Sequence, residues 1–144
     1  MWAVLLPVAA AAAGSARGLL ARSTVYLVYG VGGVVCHQRP ERSFHWGTAP
    51  WPLCARCTGV YAGAAIAALL ALAGSLPPVH TAARARWWFA IGALPAAVSL
   101  AFEWTSGVMP SHVVRMVTGL PLGATVVALV LAVLSEAGAE PRDR

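Results

Sequence analysis

Charge is what this chain has least of. Asp, Glu, Lys and Arg together make up 10% of its 144 residues, against roughly 25% in ordinary soluble domains. A globule with so few charges cannot dress its surface for water. A hydrophobic content of 59% and a mean hydropathy of +0.72 point the same way. Lysine is absent altogether, so the net charge of +5 rests on ten arginines scattered singly or in pairs between apolar blocks. That scatter lacks the phosphate-tracking patch a nucleic-acid groove requires, so no nucleic-acid partner is expected. It suits lipid headgroups and control of membrane topology instead. Missing too is a positively charged stretch ahead of the first apolar run. Ala9 to Ala16 resembles a cleavage region, yet a signal peptide would lack its basic n-region.

What is present is apolar and long. Thr58 to Ala73, bounded by Gly74 and the Pro77-Pro78 pair, carries no charge. Trp87 to Trp104 carries only Glu103, at its far end, and Val113 to Leu134 only Arg115, near its start. Each approaches the ~20 residues a helix needs to cross ~30 Å of hydrocarbon, and soluble helices rarely run so long without a polar face. Two shorter apolar runs precede them, Trp2 to Ala13 and Thr24 to Val35, with Arg17 and Arg22 between; either one is the span of the pair. The expected fold is therefore all-α and multi-pass, a single integral-membrane domain over residues 1–144. It holds three spans plus an N-terminal hydrophobic helical region, four embedded segments in total, and ends in a polar tail over 135–144. The bilayer of the cytoplasmic membrane is the principal partner. Gly59-x3-Gly63 and Gly119-x3-Gly123 are small-xxx-small seams, suited to packing between spans or to a homo-oligomer.

The three cysteines of the chain all fall in one short polar region: Cys36-His37 and then Cys54-Ala55-Arg56-Cys57, flanking an interfacial motif loop over residues 36–56. Counting crossings brings more residues to the same membrane face. The chain leaves that face at Thr58, returns near Glu103, turns at Thr105 to His112 and leaves again at Arg115. Arginine counts do not orient the protein, because four fall on each side. If Arg42, Arg56 and Arg115 serve chemistry, the balance tips toward a cytoplasmic tail and an extracytoplasmic motif face.

Three thiols and an imidazole, Cys36, His37, Cys54 and Cys57, make a tetrahedral donor set for zinc, and CxxC lets two sulfurs share one ion. Cys36 and His37 are adjacent, which requires an unusual turn if both bind; His45, His112 or Glu103 are the other candidates for the fourth position. An open position would permit water activation, a closed one a structural role. The alternative is a membrane enzyme. CxxC is also the common dithiol spacing, and Arg56 with the helix N-terminus beyond Cys57 favours thiolate. Glu103, His112 and Arg115 would then handle protons or anions. Cys36-x5-Arg42-Ser43 formally matches a phosphatase loop, but Pro40 removes one of the amides such a loop needs. Glu103 and Arg115 are expected to pair at the hydrocarbon edge. Tyr61 follows Cys57 by four residues and covers the site or packs. Arg42 and Arg56 bind an anion such as a lipid phosphate or snorkel. The remaining tryptophans suit an interfacial belt.

Taken together, CHQRPERSF (Cys36 to Phe44), CARCTGVYAG (Cys54 to Gly63) and RMVTGLPLG (Arg115 to Gly123) resemble a family of small prokaryotic membrane proteins, domain of unknown function 2085. The resemblance runs roughly from Thr24 to Leu134. It implies a multi-pass membrane protein and supplies no mechanism. In that family an aspartate is usual where this chain has Glu103, so the acid is kept with one methylene added.

Overall fold

The computed structural model of the chain describes residues 19–75 and 81–139. Within them lie α1 (Leu19–Val35), a 3-10 turn (Pro40–Arg42), β1 (Ser43–Trp46), β2 (Ala49–Cys54), α2 (Ala55–Leu72), α3 (Ala82–Ser106) and α4 (His112–Ala139). The first apolar run, Trp2 to Ala13, falls outside the described residues, and with it the question of a cleaved leader.

Three helices are long and apolar enough to cross a membrane: α2, α3 and residues 112–138 of α4. At 18, 25 and 28 residues they run about 27, 38 and 42 Å, against a hydrocarbon core of ~30 Å. The shorter α1 is apolar but falls below span length, so it is the fourth helix and not a fourth demonstrated span. The buried positions of α2 are Ala55, Thr58, Gly59, Gly63 and Ala67, while Leu69 and Leu72 are exposed. On α3, Ala85, Gly92, Ala96 and Ser99 are buried, and Leu94, Val98 and Phe102 are exposed. Small residues inside and large apolar ones outside is the arrangement for a solvent of lipid tails. Trp46 and Trp104 at one end, and Trp87 and Trp88 at the other, are also exposed, as an aromatic belt requires.

The bundle is organised around α4, which packs extensively on α2 and, less so, on α3. The two glycine pairs explain how closely. A Cβ at Gly59 would lie 2.0 Å from the Met116 carbonyl oxygen, and one at Gly63 the same distance from that of Leu120. In return, a Cβ at Gly123 would lie 1.8 Å from the Val60 oxygen and one at Gly119 2.6 Å from the Arg56 oxygen. The seams interlock with each other, backbone on backbone. Both glycine pairs are thus used for packing between spans within the chain.

Two details depart from the sequence reading. The motif loop contains a two-stranded antiparallel hairpin, pairing Ser43 with Cys54, His45 with Pro50 and Trp46 with Ala49. Gly47 takes a positive φ of 61° at its turn. Pro50 and Pro52 argue against a strand in a sheet interior, but a two-stranded ribbon consists only of edges. At the other end, α4 continues to Ala139, so the start of the expected polar tail is helical. There Glu136 Oε1 accepts the Ala82 amide of α3 at 2.7 Å, closing a helix end that would otherwise leave donors open.

Candidate functional site

The site begins with how α1 stops. The Cys36 amide still bonds the Gly32 carbonyl at 2.9 Å, and Gln38 then turns the chain with a φ of 47°. The Gln38 side chain donates to Tyr29 O at 2.6 Å and to Pro52 O at 3.0 Å, clamping the end of α1 to β2. Tyr29 adds a hydrogen bond from its hydroxyl to Pro50 O. Gly32 makes room for this crossing: a Cβ there would meet both Gln38 Nε2 and Pro52 O at 2.6 Å. Arg39 and the 3-10 turn follow, with Ser43 fully buried and donating to Arg39 O at 3.1 Å. β2 then delivers Cys54 to the N-cap of α2, and the first turn of α2 carries Arg56 and Cys57.

The outcome is a convergence of three sulfurs from three pieces of chain. The Sγ atoms of Cys36, Cys54 and Cys57 all lie within 4.8 Å of one another. Cys36 Sγ accepts the Cys54 amide at 3.3 Å, and Leu53, Trp51 and Tyr61 pack around the group. Tyr61, four residues after Cys57, packs against the cluster. The Cys54 thiol is pulled down to about 5. Its hydrogen bond with the Cys57 side chain is the largest cause; burial opposes it, while the Cys57 backbone, the Cys36 side chain and the Arg115 charge add to the lowering. His37 and His45 are exposed and are not among the converged donors.

A second cluster adjoins the sulfurs. Glu103, 6% exposed at its side chain, meets three guanidiniums: Arg42 at 2.9 Å on Oε1, and Arg56 and Arg115 at 3.4 and 3.8 Å on Oε2. Arg56 also donates to Ser99 Oγ at 3.2 Å. The expected Glu103–Arg115 pair is present, enlarged by two further arginines. Arg115 is 1% exposed; burying a charge so fully is costly unless every donor is matched. Sulfur and arginine clusters share one cleft of about 350 Å³, walled by Cys36, Cys54, Cys57, Arg42, Arg56 and Arg115 together with residues 35, 37, 38 and 39.

His112 stands apart from the sulfurs. Its Nε2 is 3.2 Å from Glu41 O and its ring is 5.6 Å from that of Phe44, so it fastens the hairpin region to the start of α4. Sequence reasoning missed Gln38 and Ser99. Gln38 is the single glutamine of the chain and sits inside the first cysteine motif. Ser99 precedes Glu103 by four residues, the spacing that places two side chains on one helix face.

The family model of DUF2085, described as a predicted membrane protein, matches residues 36–129, a stretch that includes every residue of both clusters. An uncharacterized protein of Methanothermobacter thermautotrophicus is 36% identical over 90 residues, covering 62% of this chain and 78% of the relative. An uncharacterized protein of Methanocaldococcus jannaschii is 28% identical over 110 residues, covering 76% and 69%. No solved structure matches the chain.

Proposed function

The chain belongs to the DUF2085 family of predicted membrane proteins, and from that premise we propose that it is a membrane metal-binding protein whose Cys36, Cys54 and Cys57 hold a zinc-type ion at one membrane face, in a binding or structural role. The observation that carries this reading is the convergence of the three Sγ atoms within 4.8 Å. Tetrahedral zinc with Zn–S near 2.3 Å needs sulfurs about 3.8 Å apart, so small side-chain rotations close the set. The Cys54 amide on Cys36 Sγ is the kind of outer contact that orients a ligand. His37, one residue from Cys36 and on the cleft wall, is the protein's own candidate for the fourth position; a water or anion is the other. Fixing one ion between the end of α1, the end of β2 and the start of α2 would add a further lock to a segment already held by the Gln38 and Tyr29 hydrogen bonds.

A second reading is favoured by the closeness of the CxxC thiols, with the Cys54 and Cys57 Sγ atoms within 4.8 Å of one another and the hydrogen bond from Cys57 lowering the Cys54 thiol. A thiolate at Cys54 would attack an external disulfide. Cys57 would then displace the mixed disulfide, leaving Cys54–Cys57 oxidised and two thiols released on the partner. On either reading, a motif face outside the cytoplasm is part of the proposal. With Arg42, Arg56 and Arg115 gathered on Glu103, the arginines left to set topology are mainly those of the opposite face.

Metal analysis with parallel thiol counting on purified protein separates the two. The metal reading expects about one zinc per chain, lost in Cys54→Ser and Cys57→Ser. Metal-free protein with a reversible Cys54–Cys57 disulfide would overturn it in favour of thiol exchange.

A further inference from the structure

Metal binding accounts for the sulfurs and leaves the arginines unexplained. Arg42, Arg56 and Arg115 are gathered around a single carboxylate, so two positive charges at the head of the bundle lack a counter-charge. Three thiolates on one zinc ion would cancel one of them and not the other. Arg39 also reaches the cleft wall but is paired with Glu41 at 4.0 Å in the open. No carboxylate side chain lines the cleft.

The hydrogen-bond accounting shows the same deficit. Four guanidinium nitrogens, the Nε of Arg42, Arg56 and Arg115 and Nη1 of Arg115, are buried without a hydrogen-bond acceptor among the described residues, and against these four donors stands one unused acceptor, Glu103 Oε1, which meets Arg42 as an ion pair without a hydrogen bond. Arg115 is 1% exposed, and unmatched charged donors at such burial cost far more than exposed ones. A protein stable in this form has an acceptor to place there. Shape narrows the choice: planar guanidinium forks match the oxygens of tetrahedral oxyanions two at a time. The cleft, at about 350 Å³, is many times the ~30 Å³ share of a water molecule, which leaves room for a substituent on that anion.

We propose that the cleft between the end of α1, the start of α2 and the start of α4 is a binding site for a phosphate-type oxyanion, held by Arg42, Arg56 and Arg115 beside the three sulfurs. The site lies at the membrane face of the bundle, so the phosphate belongs either to a small soluble anion or to an anionic lipid headgroup, and the guanidinium chemistry is the same for both. Glu103 acts as a positioning residue: it holds three mutually repelling guanidiniums together and leaves them incompletely neutralised. The inference goes beyond the metal reading and stands without it, because the charge excess persists whether or not the sulfurs hold an ion.

The test uses full-length protein in detergent and in nanodiscs, metal-loaded and metal-depleted. Inorganic phosphate is titrated by calorimetry in detergent, and bound lipid is measured in nanodiscs containing phosphatidylglycerol, phosphatidylcholine or both. Binding of phosphate, or selective retention of phosphatidylglycerol over phosphatidylcholine, is expected. Arg56→Gln and Arg42→Gln, at partly exposed side chains, should each weaken it roughly tenfold or more, while Arg84→Gln on the opposite face should leave it unchanged. Phosphate binding without lipid selectivity assigns the site to a soluble anion, and the reverse assigns it to a headgroup. If neither probe binds, or if Arg84→Gln weakens binding as much as Arg56→Gln, the proposal is overturned. Absence of zinc from the purified protein with anion binding intact would sink the metal reading alone.

Discussion

At the end of the bundle where α2 stops and α3 begins, one carboxylate closes the structure: Glu136 of α4 accepts the Ala82 amide, and Thr81 caps the same turn through Arg84 N at 3.4 Å. Arg84 and Arg86 on that end are exposed. The other end holds a nine-tenths-buried carboxylate, three guanidiniums and three thiols within one cleft. Both ends meet the same two phases, lipid and water, so the solvent does not account for the difference. Backbone satisfaction needs only what the first end has. The second carries buried charges that desolvation makes expensive, and an arrangement costly to fold but retained is where binding or chemistry belongs.

The sharpest way to break this contrast is to remove the hub of the charged end. Glu103→Gln keeps the shape of the side chain and removes its charge, leaving Arg42, Arg56 and Arg115 facing one another at short range. Breaking a buried pair by deleting one partner costs about 3–5 kcal/mol, so a large drop in the unfolding midpoint in detergent is expected. Glu103→Asp keeps the charge and should be far milder. A larger effect of Glu103→Asp than of Glu103→Gln would mean that side-chain length, and not charge, holds the cluster. Added phosphate should partly offset the loss in Glu103→Gln, because an anion held by the same three guanidiniums stabilises the folded form by mass action.

A smaller effect is expected at the clamp that brings Cys36 to the other sulfurs. Gln38→Ala removes two hydrogen bonds, to Tyr29 O and Pro52 O, each worth about 0.5–1.5 kcal/mol net. Because the clamp fixes where α1 ends, the loss should fall on the sulfur cluster more than on the bundle. Cys36 is expected to alkylate faster in Gln38→Ala, with the midpoint for the helices lowered by no more than about 3 kcal/mol. Unchanged alkylation would show that Cys36 is placed by its own helix turn alone.

Much of the charged end is legible in the sequence, and the reasons are specific. Glu103 and Arg115 stood out because each interrupts a long apolar run, and lipid tolerates few such interruptions. Counting crossings then put them beside Cys54 and Cys57. Interlocking of the glycine pairs was half legible: the spacing announced close approach but could not say that the two seams meet each other. The hairpin was hidden by Pro50 and Pro52, which weaken any strand reading. His37 is a candidate by its adjacency to Cys36; it lines the cleft without joining the converged sulfurs, because adjacency along the chain does not set where a side chain points. Gln38 and Ser99 carry no charge and no motif, so their roles depend on distances that only the fold sets.

The opposite end supplies the smallest predicted effect and the control for the rest. Glu136 sits on the last turns of α4, and its contact with the Ala82 amide replaces a capping side chain for one donor of α3. Substituting a helix cap typically costs about 0.5–2 kcal/mol, and Glu136→Gln keeps an acceptor oxygen, so the loss should lie at the bottom of that range. The favourable placement of a carboxylate near a helix N-terminus adds about 0.3–1 kcal/mol at low ionic strength, which the amide forfeits. A midpoint within a few degrees of the wild type, a difference that shrinks further in high salt, and unaltered zinc content are the expected results. A drop as large as that of Glu103→Gln would erase the distinction between the two ends, because a lone carboxylate on an exposed helix turn would then matter as much as a buried one ringed by arginines.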